Sequence, residues 1–235
     1  MRIAAVILMF LAVAAQADEY AELRADLVAE VRYYDRLARD SETMFRDDVM
    51  AALGNVERHE FLPNGEKRFA YENRPLPIGH GQTISQPYIV ALMTDLIDPQ
   101  PRDVVLEVGT GSGYQAAVLA EIVKRVYSIE IVEPLFNSAS ERLEHLGYDN
   151  ISTRLGDGYY GWKRHGPYDA IVVTAAASHV PPPLIQQLKP GGRMVIPVGG
   201  RWMTQQLLLI ERTRQDEIIT KQIAAVRFVP LTGEH

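Results

Sequence analysis

The stretch from Val104 to Gly113 constrains the fold more than any other part of this chain. It reads Val-Val-Leu-Glu-Val-Gly-Thr-Gly-Ser-Gly, and an apolar helical pattern follows from Tyr114 to Val123. A buried strand, a glycine turn and a helix in this order form the first unit of a nucleotide-binding α/β fold. Glu107 lies two positions before Gly109, at the end of the strand. A carboxylate there would repel a pyrophosphate and would suit a ligand that carries positive charge.

The spacing of the glycines narrows the class of ligand. Gly109, Gly111 and Gly113 form G-x-G-x-G, whereas the dinucleotide fingerprint is G-x-G-x-x-G. The third glycine of that fingerprint would fall at position 114, which is a tyrosine. Tyr114 and Glu107 therefore disfavour a nicotinamide oxidoreductase. Glycine-rich turns after strands also occur for structural reasons alone, so these glycines by themselves do not identify a ligand.

The composition indicates one globular domain and disfavours several functions. The 235 residues are 47% hydrophobic and 23% charged, which suits a single domain with a sizeable core. The net charge is -6 without a Lys/Arg-rich block, so nucleic-acid binding by a broad basic surface is not expected. Cysteine is absent, which excludes a disulfide framework, a thiolate zinc site and a cysteine nucleophile. His59, His145, His165 and His179 show no ligand spacing with carboxylates, so no metal is predicted.

The first residues resemble a secretory signal peptide. Arg2 precedes an apolar run from Ile3 to Ala15, and Ala15-Gln16-Ala17 then supplies small residues at the two required positions before Asp18. We therefore predict a signal peptide over residues 1–17, a single mature domain over 18–235, and a periplasmic or secreted protein. The run has 13 residues, too few to span a bilayer comfortably. An uncleaved N-terminal anchor and a misassigned start codon are the alternatives.

The rest of the chain alternates between strand and helix patterns. Helices are predicted over 19–37, from Ser41-Glu42-Thr43 to Leu53 with Gly54 as the stop, and over 88–97, 115–124, 134–146 and 182–188. Strands are predicted over 104–108, 126–130, 151–155, 169–174 and 193–198, and the runs 205–212 and 222–229 read as a hairpin. Residues 55–82 read as loop, and Arg74–Gln82, with two prolines and two glycines, is not expected to be regular structure. The predicted fold is α/β: a doubly wound, mostly parallel, Rossmann-like sheet with an antiparallel edge and an N-terminal helical extension.

Two acidic residues follow the next strands of this sheet. Glu130 ends the second strand, 19 residues beyond Gly111, where a carboxylate can accept hydrogen bonds from both hydroxyls of a ribose. Asp157 stands between two glycines after the third strand and could accept from an exocyclic amine such as that of adenine. The alternatives are a surface glutamate at a strand end and an ordinary Asp-Gly turn.

These positions resemble class I S-adenosylmethionine-dependent methyltransferases, and several runs narrow the resemblance to the protein-L-isoaspartate O-methyltransferases. The run Gly81-Gln-Thr-Ile-Ser-Gln-Pro-Tyr88 is similar to the signature loop of that family, and Val226-Arg-Phe-Val-Pro-Leu-Thr232 is similar to its C-terminal strand. Three further runs, Leu106–Gln115, Asp169–Ala176 and Leu188–Val195, extend the similarity. Together they cover roughly residues 35 to 233, in the family's order.

The resemblance implies an enzyme that transfers a methyl group from S-adenosylmethionine to the α-carboxyl of L-isoaspartyl residues in damaged proteins. The ester then collapses to a succinimide, which reopens partly to aspartate. Ser85 matches the family's active-site serine. The expected cofactor-binding residues are Thr83, Ile84, Glu107, Gly109, Thr110, Gly111, Gly113, Glu130, Ile131, Asp157, Gly158 and Thr232. The resemblance also implies isoaspartyl proteins and peptides as substrates and a monomer, and cytoplasmic members are usual.

This reaction requires little acid–base catalysis by the protein. A free carboxyl has a reference pKa of about 3.5–4 and is a ready nucleophile at neutral pH, and the sulfonium is a built-in leaving group. The enzyme must therefore align and desolvate its substrates. Ser85 would donate a hydrogen bond that holds the acceptor carboxylate in line. The alternative for Ser85 is a helix N-cap, since Gln86-Pro87 follow it.

Other readings of the chain remain open. His80, between two glycines, invites a catalytic role, but a loop histidine is more often structural or solvated. Thr174-Ala-Ala-Ala177 follows the fourth strand in place of the Asn/Asp-Pro-Pro-Tyr of base amino-methylation, which argues against a DNA adenine methyltransferase. A methyltransferase for another acceptor, and an exported protein that keeps the fold without catalysis, are the remaining alternatives.

Overall fold

The computed structural model describes residues 2–38, 44–200 and 203–233, with side chains described from Tyr20 onward. The predicted helix start at Ser41-Glu42-Thr43 lies outside these ranges. The side chains of the predicted signal peptide, residues 1–17, also lie outside what is described. No helix within these ranges combines the length and the apolarity needed to cross a membrane.

A seven-stranded sheet forms the centre of the molecule, and continuous apolar runs explain its inner strands. The strands of this sheet are β3 (Val104–Val108), β4 (Arg125–Glu130), β5 (Ile151–Leu155), β6 (Tyr168–Val173), β7 (Leu188–Val198), β8 (Gln205–Arg212) and β9 (Ile218–Val226). In β3 and β6 almost every side chain is buried, as expected for parallel strands covered on both faces. The β-branched valines and isoleucines of these strands suit the pleated, buried environment.

The order of the strands determines where a ligand can bind at the edge of the sheet. The sheet runs β5-β4-β3-β6-β7-β8-β9, with the first five strands parallel and β8 and β9 antiparallel. The chain moves outward from β3 to β5 and then returns to the other side of β3 as β6. Ligands of open α/β sheets bind at the carboxyl ends of the strands where this direction reverses. The fold therefore places a site between the ends of β3 and β6, and the predicted doubly wound sheet with an antiparallel edge is confirmed.

Helices cover both faces of the sheet and complete the core. They are α1 (Arg2–Ala38), α2 (Asp47–Asn55), α3 (Pro87–Leu96), α4 (Tyr114–Ala120), α5 (Glu133–His145) and α6 (Pro182–Gln186). The N-terminal helix α1 packs through Leu27 and Val31, which are buried in the same cluster as α2, α3 and α4. Tyr20 of α1 stacks on His59 with ring centroids 4.1 Å apart. The N-terminal helical extension is thus part of the packed body.

One segment predicted to be irregular forms a small hairpin. Strands β1 (Leu76–Gly79) and β2 (Gln82–Ile84) pair antiparallel, so the expectation for Arg74–Gln82 was wrong. Gly79, His80 and Gly81 all have positive φ, at 94°, 52° and 71°, and make the turn. Leu76 and Ile78 face inward while Pro77 faces outward, and a two-stranded edge tolerates a proline without an N–H.

Several predicted boundaries also move. α2 continues one residue past Gly54, α4 ends at Ala120, and β9 occupies 218–226. β7 begins at Leu188, inside the predicted helix 182–188, and crosses Pro190-Gly191-Gly192. Leu188 pairs with Tyr168 and Arg193 pairs with Ala170, with an irregularity between them. The glycines, with Gly191 at φ +87°, let the strand bulge where the sequence predicts a stop.

Candidate functional site

A cleft opens at the carboxyl ends of β3, β4 and β6, where the strand order reverses; we call it the first cleft. Ten of the thirteen residues predicted from sequence line it: Thr83, Ile84, Ser85, Gly109, Thr110, Gly111, Glu130, Ile131, Gly158 and Thr232. They come from five separate parts of the chain. The structure therefore brings most of the predicted site together at one place.

The turn after β3 approaches its neighbours too closely for side chains. Gly109 has φ +99°, and a Cβ there would lie 2.4 Å from Thr174 Oγ1. The Thr174 hydroxyl donates to the Gly109 carbonyl at 2.6 Å, across the reversal point. The backbone amides of Gly109 and Thr110 both donate to the Ile129 carbonyl. The glycine at 109 is thus required by geometry, and the turn is held from β4 on one side and β6 on the other.

Glu130 is a buried carboxylate that organises the ends of two strands. Its Oε2 accepts from the Gly111 amide at 2.7 Å, and its Oε1 accepts from the amides of Ile131 and Val132 at 3.0 and 2.9 Å. The side chain lines the first cleft although the residue is only 5% exposed. Two carboxylate oxygens offer about four acceptor positions, so the three amides leave one position unfilled.

Glu107, predicted to face a cationic ligand, lies beneath the turn and does not line the cleft. It is fully buried, and its Oε2 shares a hydrogen bond with the Ser128 hydroxyl on β4. Burial raises the pKa of the Glu107 carboxyl to about 8, the Ser128 hydrogen bond opposes that shift, and the charge of Glu130 adds to it. Any effect of Glu107 on a ligand must pass through its neighbours.

Two more predicted residues, Asp157 and Gly113, stabilise segments that lie beside the cleft. Asp157 caps the short 3-10 turn Gly158–Tyr160, because its Oδ1 accepts from the Tyr159 amide at 2.9 Å. Gly113 starts α4 with φ +91°, and a Cβ there would meet Leu143 at 3.2 Å. Neither lines the first cleft, and a ligand role for either stays a prediction. His80, at the tip of the β1–β2 turn, also lines neither this cleft nor the one described next.

Ser85 follows β2, and its hydroxyl has no hydrogen-bond partner among the residues that the structure describes. The N-cap of α3 is Gln86, without a side-chain cap, so the alternative in which Ser85 caps this helix was wrong. Asn73 serves the helix start instead, because its Oδ1 accepts from the Tyr88 amide at 3.0 Å. Within the described ranges the Ser85 hydroxyl makes no hydrogen bond, which leaves it free for a ligand.

A second cleft adjoins the first and shares Ser85 with it. Thr83, Thr174 and Val229 also line both, and Arg227 stands at the exposed side of the second cleft. Of the described residues that line the second cleft, Arg227 alone is charged. The two clefts therefore meet at the Ser85 hydroxyl. The walls of the second cleft are uncharged except for Arg227 at its exposed rim.

The C-terminal segment returns to roof the first cleft. The Ala176 amide donates to the Val229 carbonyl at 2.8 Å, and the Leu231 amide donates to the Ala176 carbonyl at 2.7 Å. This bridge carries Pro230, Leu231 and Thr232 onto the cleft wall. Thr232, predicted by resemblance, lines the first cleft, and its contact with a ligand stays a prediction.

Some lining residues were missed by the sequence reasoning. Thr174 follows β6, and the rule that ligands sit at the carboxyl ends of strands would have selected it. Ser112 and Gln115 lie within runs already singled out, yet were not named as site residues. For Val132 and Val90 the sequence carries no signal beyond hydrophobicity. Among the residues that the structure describes, no group of three or more His, Cys, Asp or Glu is arranged to hold a metal ion.

Comparison with known proteins agrees on one family. The family model for protein-L-isoaspartate(D-aspartate) O-methyltransferase matches residues 35–235. Protein-L-isoaspartate O-methyltransferase 1 of Cupriavidus necator is 60% identical over 220 residues, which are 93% of this chain and 85% of that protein. Protein-L-isoaspartate O-methyltransferase 2 of Syntrophobacter fumaroxidans is 59% identical over 226 residues, 95% of this chain and 92% of that protein.

Solved structures agree as well. A protein-L-isoaspartate O-methyltransferase structure superposes with a TM-score of 0.79 at 29% identity, over 89% of this chain and 66% of the other. A Plasmodium falciparum chain assigned to the same enzyme, in complex with S-adenosyl-L-homocysteine, gives a TM-score of 0.73 at 26% identity, over 89% of this chain and 98% of the other.

The doubly wound sheet and the glycine-lined cleft at its reversal point define an S-adenosylmethionine-dependent methyltransferase of class I. The cleft fits that cofactor, because the Gly109 and Gly111 turn lines it and Glu130 retains an acceptor position. The chain belongs to the protein-L-isoaspartate (D-aspartate) O-methyltransferase family.

Proposed function

We propose that this chain transfers the methyl group of S-adenosylmethionine to the free α-carboxyl of L-isoaspartyl residues in damaged proteins and so initiates their repair. The observation that carries the proposal is the free hydroxyl of Ser85 at the junction of the two clefts. One cleft suits the cofactor and the other suits an extended acceptor, and the reacting atoms would meet where the clefts join.

Glu130, the 109–111 turn and the C-terminal segment would hold the cofactor in the first cleft. S-adenosylmethionine supplies an electrophilic methyl group on a sulfonium, which leaves as a neutral thioether. Glu130 would accept from a ribose hydroxyl while its three backbone amides keep the carboxylate oriented. Thr232, at the exposed side, would close over the ligand.

Ser85 would orient the acceptor carboxylate. An isoaspartyl α-carboxyl is already ionised at neutral pH, so the site needs no base, and a hydroxyl donor can fix one oxygen while the other faces the methyl group. The neutral walls of the second cleft limit competition for that hydroxyl from charged side chains of the protein. Specificity for isoaspartate would follow from the extra backbone methylene, which displaces the carboxyl relative to that of a normal aspartyl residue.

A matched pair of peptides tests this function. One peptide contains L-isoaspartate and its twin contains L-aspartate at the same position, and base-labile methanol release reports carboxyl methylation. We expect residues 18–235 to methylate the isoaspartyl peptide and to leave the aspartyl twin nearly unlabelled. Equal labelling of both peptides would contradict the acceptor assignment, and so would no labelling by a protein shown to bind S-adenosylmethionine.

We further propose export with cleavage after Ala17, a monomeric mature protein and no nucleic-acid partner. The charged start, the short apolar run and the A-x-A pattern support export. The net charge of -6 argues against nucleic acid. Sequencing the mature N-terminus from fractionated cells would find Asp18 if cleavage occurs there, and an intact Met1 in the cytoplasmic fraction would contradict export. Light scattering should give the mass of one chain.

A further inference from the structure

A buried chain of three oxygens leads from Glu107 to the first cleft. Glu107 and Ser128 are register partners on β3 and β4, and the Ser128 hydroxyl contacts Glu107 Oε2. Ser128 Oγ also lies 2.5 Å from Thr110 Oγ1, and Thr110 lines the cleft. Glu107 and Ser128 are 0% exposed and Thr110 is 3% exposed. No water separates neighbours at such distances, so the protons of the chain order one another.

The order of the protons depends on whether Glu107 is protonated. An ionised carboxylate can only accept, so Ser128 then donates to Glu107, Thr110 donates to Ser128, and Thr110 offers the cleft only a lone pair. A neutral Glu107 carrying its proton on Oε2 donates to Ser128, Ser128 donates to Thr110, and the Thr110 proton is free to point into the cleft. The reversal moves no heavy atom.

The surroundings of Glu107 decide which oxygen carries the proton. Oε1 has no hydrogen-bond partner among the residues described, and the nearby Ala116 amide is a donor. A proton on Oε1 would therefore find no acceptor, and a buried unpaired hydroxyl is costly. On Oε2 the proton meets Ser128. When Glu107 is neutral, it therefore donates to Ser128, and Ser128 in turn donates to Thr110.

We propose that Glu107 and Ser128 are positioning residues that set Thr110 as a hydrogen-bond donor toward an oxygen of the bound cofactor. The proposal rests on the proposed function, since it takes S-adenosylmethionine or its demethylated product to occupy the first cleft. Glu107 then acts on the ligand through two hydroxyls rather than by direct contact with a cationic group. Ionisation of Glu107 removes the donor and weakens binding.

The groups around Glu107 favour its neutral form near pH 7. Burial raises its pKa to about 8, against the opposing effects of the Ser128 hydroxyl and the Ala116 amide, and the Glu130 carboxylate on β4 raises it further. β4 also carries Arg125 and Tyr127 and α4 carries Tyr114, whose pKa burial raises to about 12. On β6 the register partner of Glu107 is Val172, and the ionisable residues Tyr168 and Asp169 lie at the opposite end of that strand.

S-adenosyl-L-homocysteine is the probe that separates this effect from simple charge attraction. It lacks the sulfonium, so the only cation that an ionised Glu107 could attract is the α-ammonium group, whose own titration the Glu107→Gln variant reports. We measure its dissociation constant by calorimetry from pH 7 to pH 9.5, in buffers of different ionisation enthalpy to count protons. The wild type should bind about threefold to tenfold more weakly at the upper end than at pH 7, as loss of one hydrogen bond implies, and should take up protons on binding near pH 8.

Four variants make the test specific. Glu107→Gln, Ser128→Ala and Thr110→Val should each flatten the pH dependence to that of the ligand's own groups, while Thr110→Ser, which keeps the hydroxyl, should retain it. Infrared spectroscopy of the free protein at pH 7 should show a protonated carboxyl band that Glu107→Gln removes and Ser128→Ala keeps. If Glu107→Gln does not fold, the Thr110 pair decides.

The possible outcomes distinguish the proposed role of the buried oxygen chain from the proposed cofactor binding on which it rests. Equal proton uptake and equal pH profiles in the wild type, Ser128→Ala and Thr110→Val would overturn the proposal while leaving the cofactor assignment intact. Failure of the wild type to bind S-adenosyl-L-homocysteine at any pH would overturn the cofactor assignment, and the proposed role of the oxygen chain with it. Affinity that rises with pH through Glu107 would mean that Thr110 accepts from the ligand, and would also overturn the proposal.

Discussion

Glu107 and Glu130 show what a sequence reveals about single residues and what it leaves out. Both end neighbouring strands, and both were predicted as ligand contacts. Glu130 does line the first cleft, whereas Glu107 is buried beneath it and paired with Ser128. The sequence identifies the acidic residues, but the direction of each side chain depends on strand register and on a serine from the neighbouring strand. Ser128 carries no sequence signal, so its contact with Glu107 could not be predicted.

The buried carboxyl of Glu107 should make stability depend on pH. Its pKa is raised from 4.5 to about 8 on folding, so the folded state holds the proton more tightly. The contribution of Glu107 to stability is then fully present below about pH 4.5 and is lost as pH rises through 8. We expect Glu107→Gln to reduce the loss in the free energy of unfolding between about pH 4.5 and pH 8 by about 3–5 kcal/mol. Urea unfolding at pH 5 to 9 measures it. Glu141→Gln, at an exposed position of α5, should leave the slope unchanged, and a wild-type slope that survives Glu107→Gln would contradict the account.

At the scale of elements, periodicity predicts the sheet well and the two segments beside the clefts poorly. β3 and β6 follow directly from unbroken apolar runs such as Ala170–Val173. The β1–β2 hairpin was missed, because its glycines and proline mask the alternation of Leu76 and Ile78. The C-terminal segment was recognised only by resemblance, because its bridge to Ala176 joins residues far apart in sequence. Long-range pairing of this kind leaves no local pattern.

The C-terminal segment should contribute to binding more than to folding. A chain ending at Phe228 loses Val229–Thr232 from the cleft wall and the two backbone hydrogen bonds to Ala176. We expect weaker S-adenosyl-L-homocysteine binding by at least about tenfold, and a loss of only about 1–3 kcal/mol in the free energy of unfolding. Calorimetry and urea unfolding measure these. A chain ending at Gly233 is the control, and undiminished binding by the shorter chain would exclude a role for this segment in the site.

At the scale of the whole molecule, α1 joins the predicted signal peptide to the packed body. The helix runs from Arg2 to Ala38 without a break, while its described buried contacts begin near Tyr20 and include Leu27 and Val31. The family match starts at residue 35, after these contacts. The sequence predicted the extension as a helix, but the side on which it docks depends on the assembled core.

These contacts predict different effects for two N-terminal deletions. A chain starting at Asp18 keeps Tyr20, Leu27 and Val31 and should have the stability of the full chain. A chain starting at residue 44 loses both buried aliphatic side chains and should be destabilised by about 3–6 kcal/mol. Thermal and urea unfolding compare the two. Equal stability of both shortened chains would show that α1 adds nothing to the fold.

We propose above that Ser85, at the junction of the two clefts, orients an isoaspartyl carboxylate toward the cofactor. The most direct measurement is the turnover number of Ser85→Ala on an isoaspartyl peptide at saturating cofactor, with Ser138→Ala on the exposed face of α5 as control. We expect the turnover number to fall by about 10- to 1000-fold, with the dissociation constant of S-adenosyl-L-homocysteine within about twofold of the wild type. Turnover equal to that of the wild type would contradict it, and so would a loss of turnover explained entirely by loss of cofactor binding.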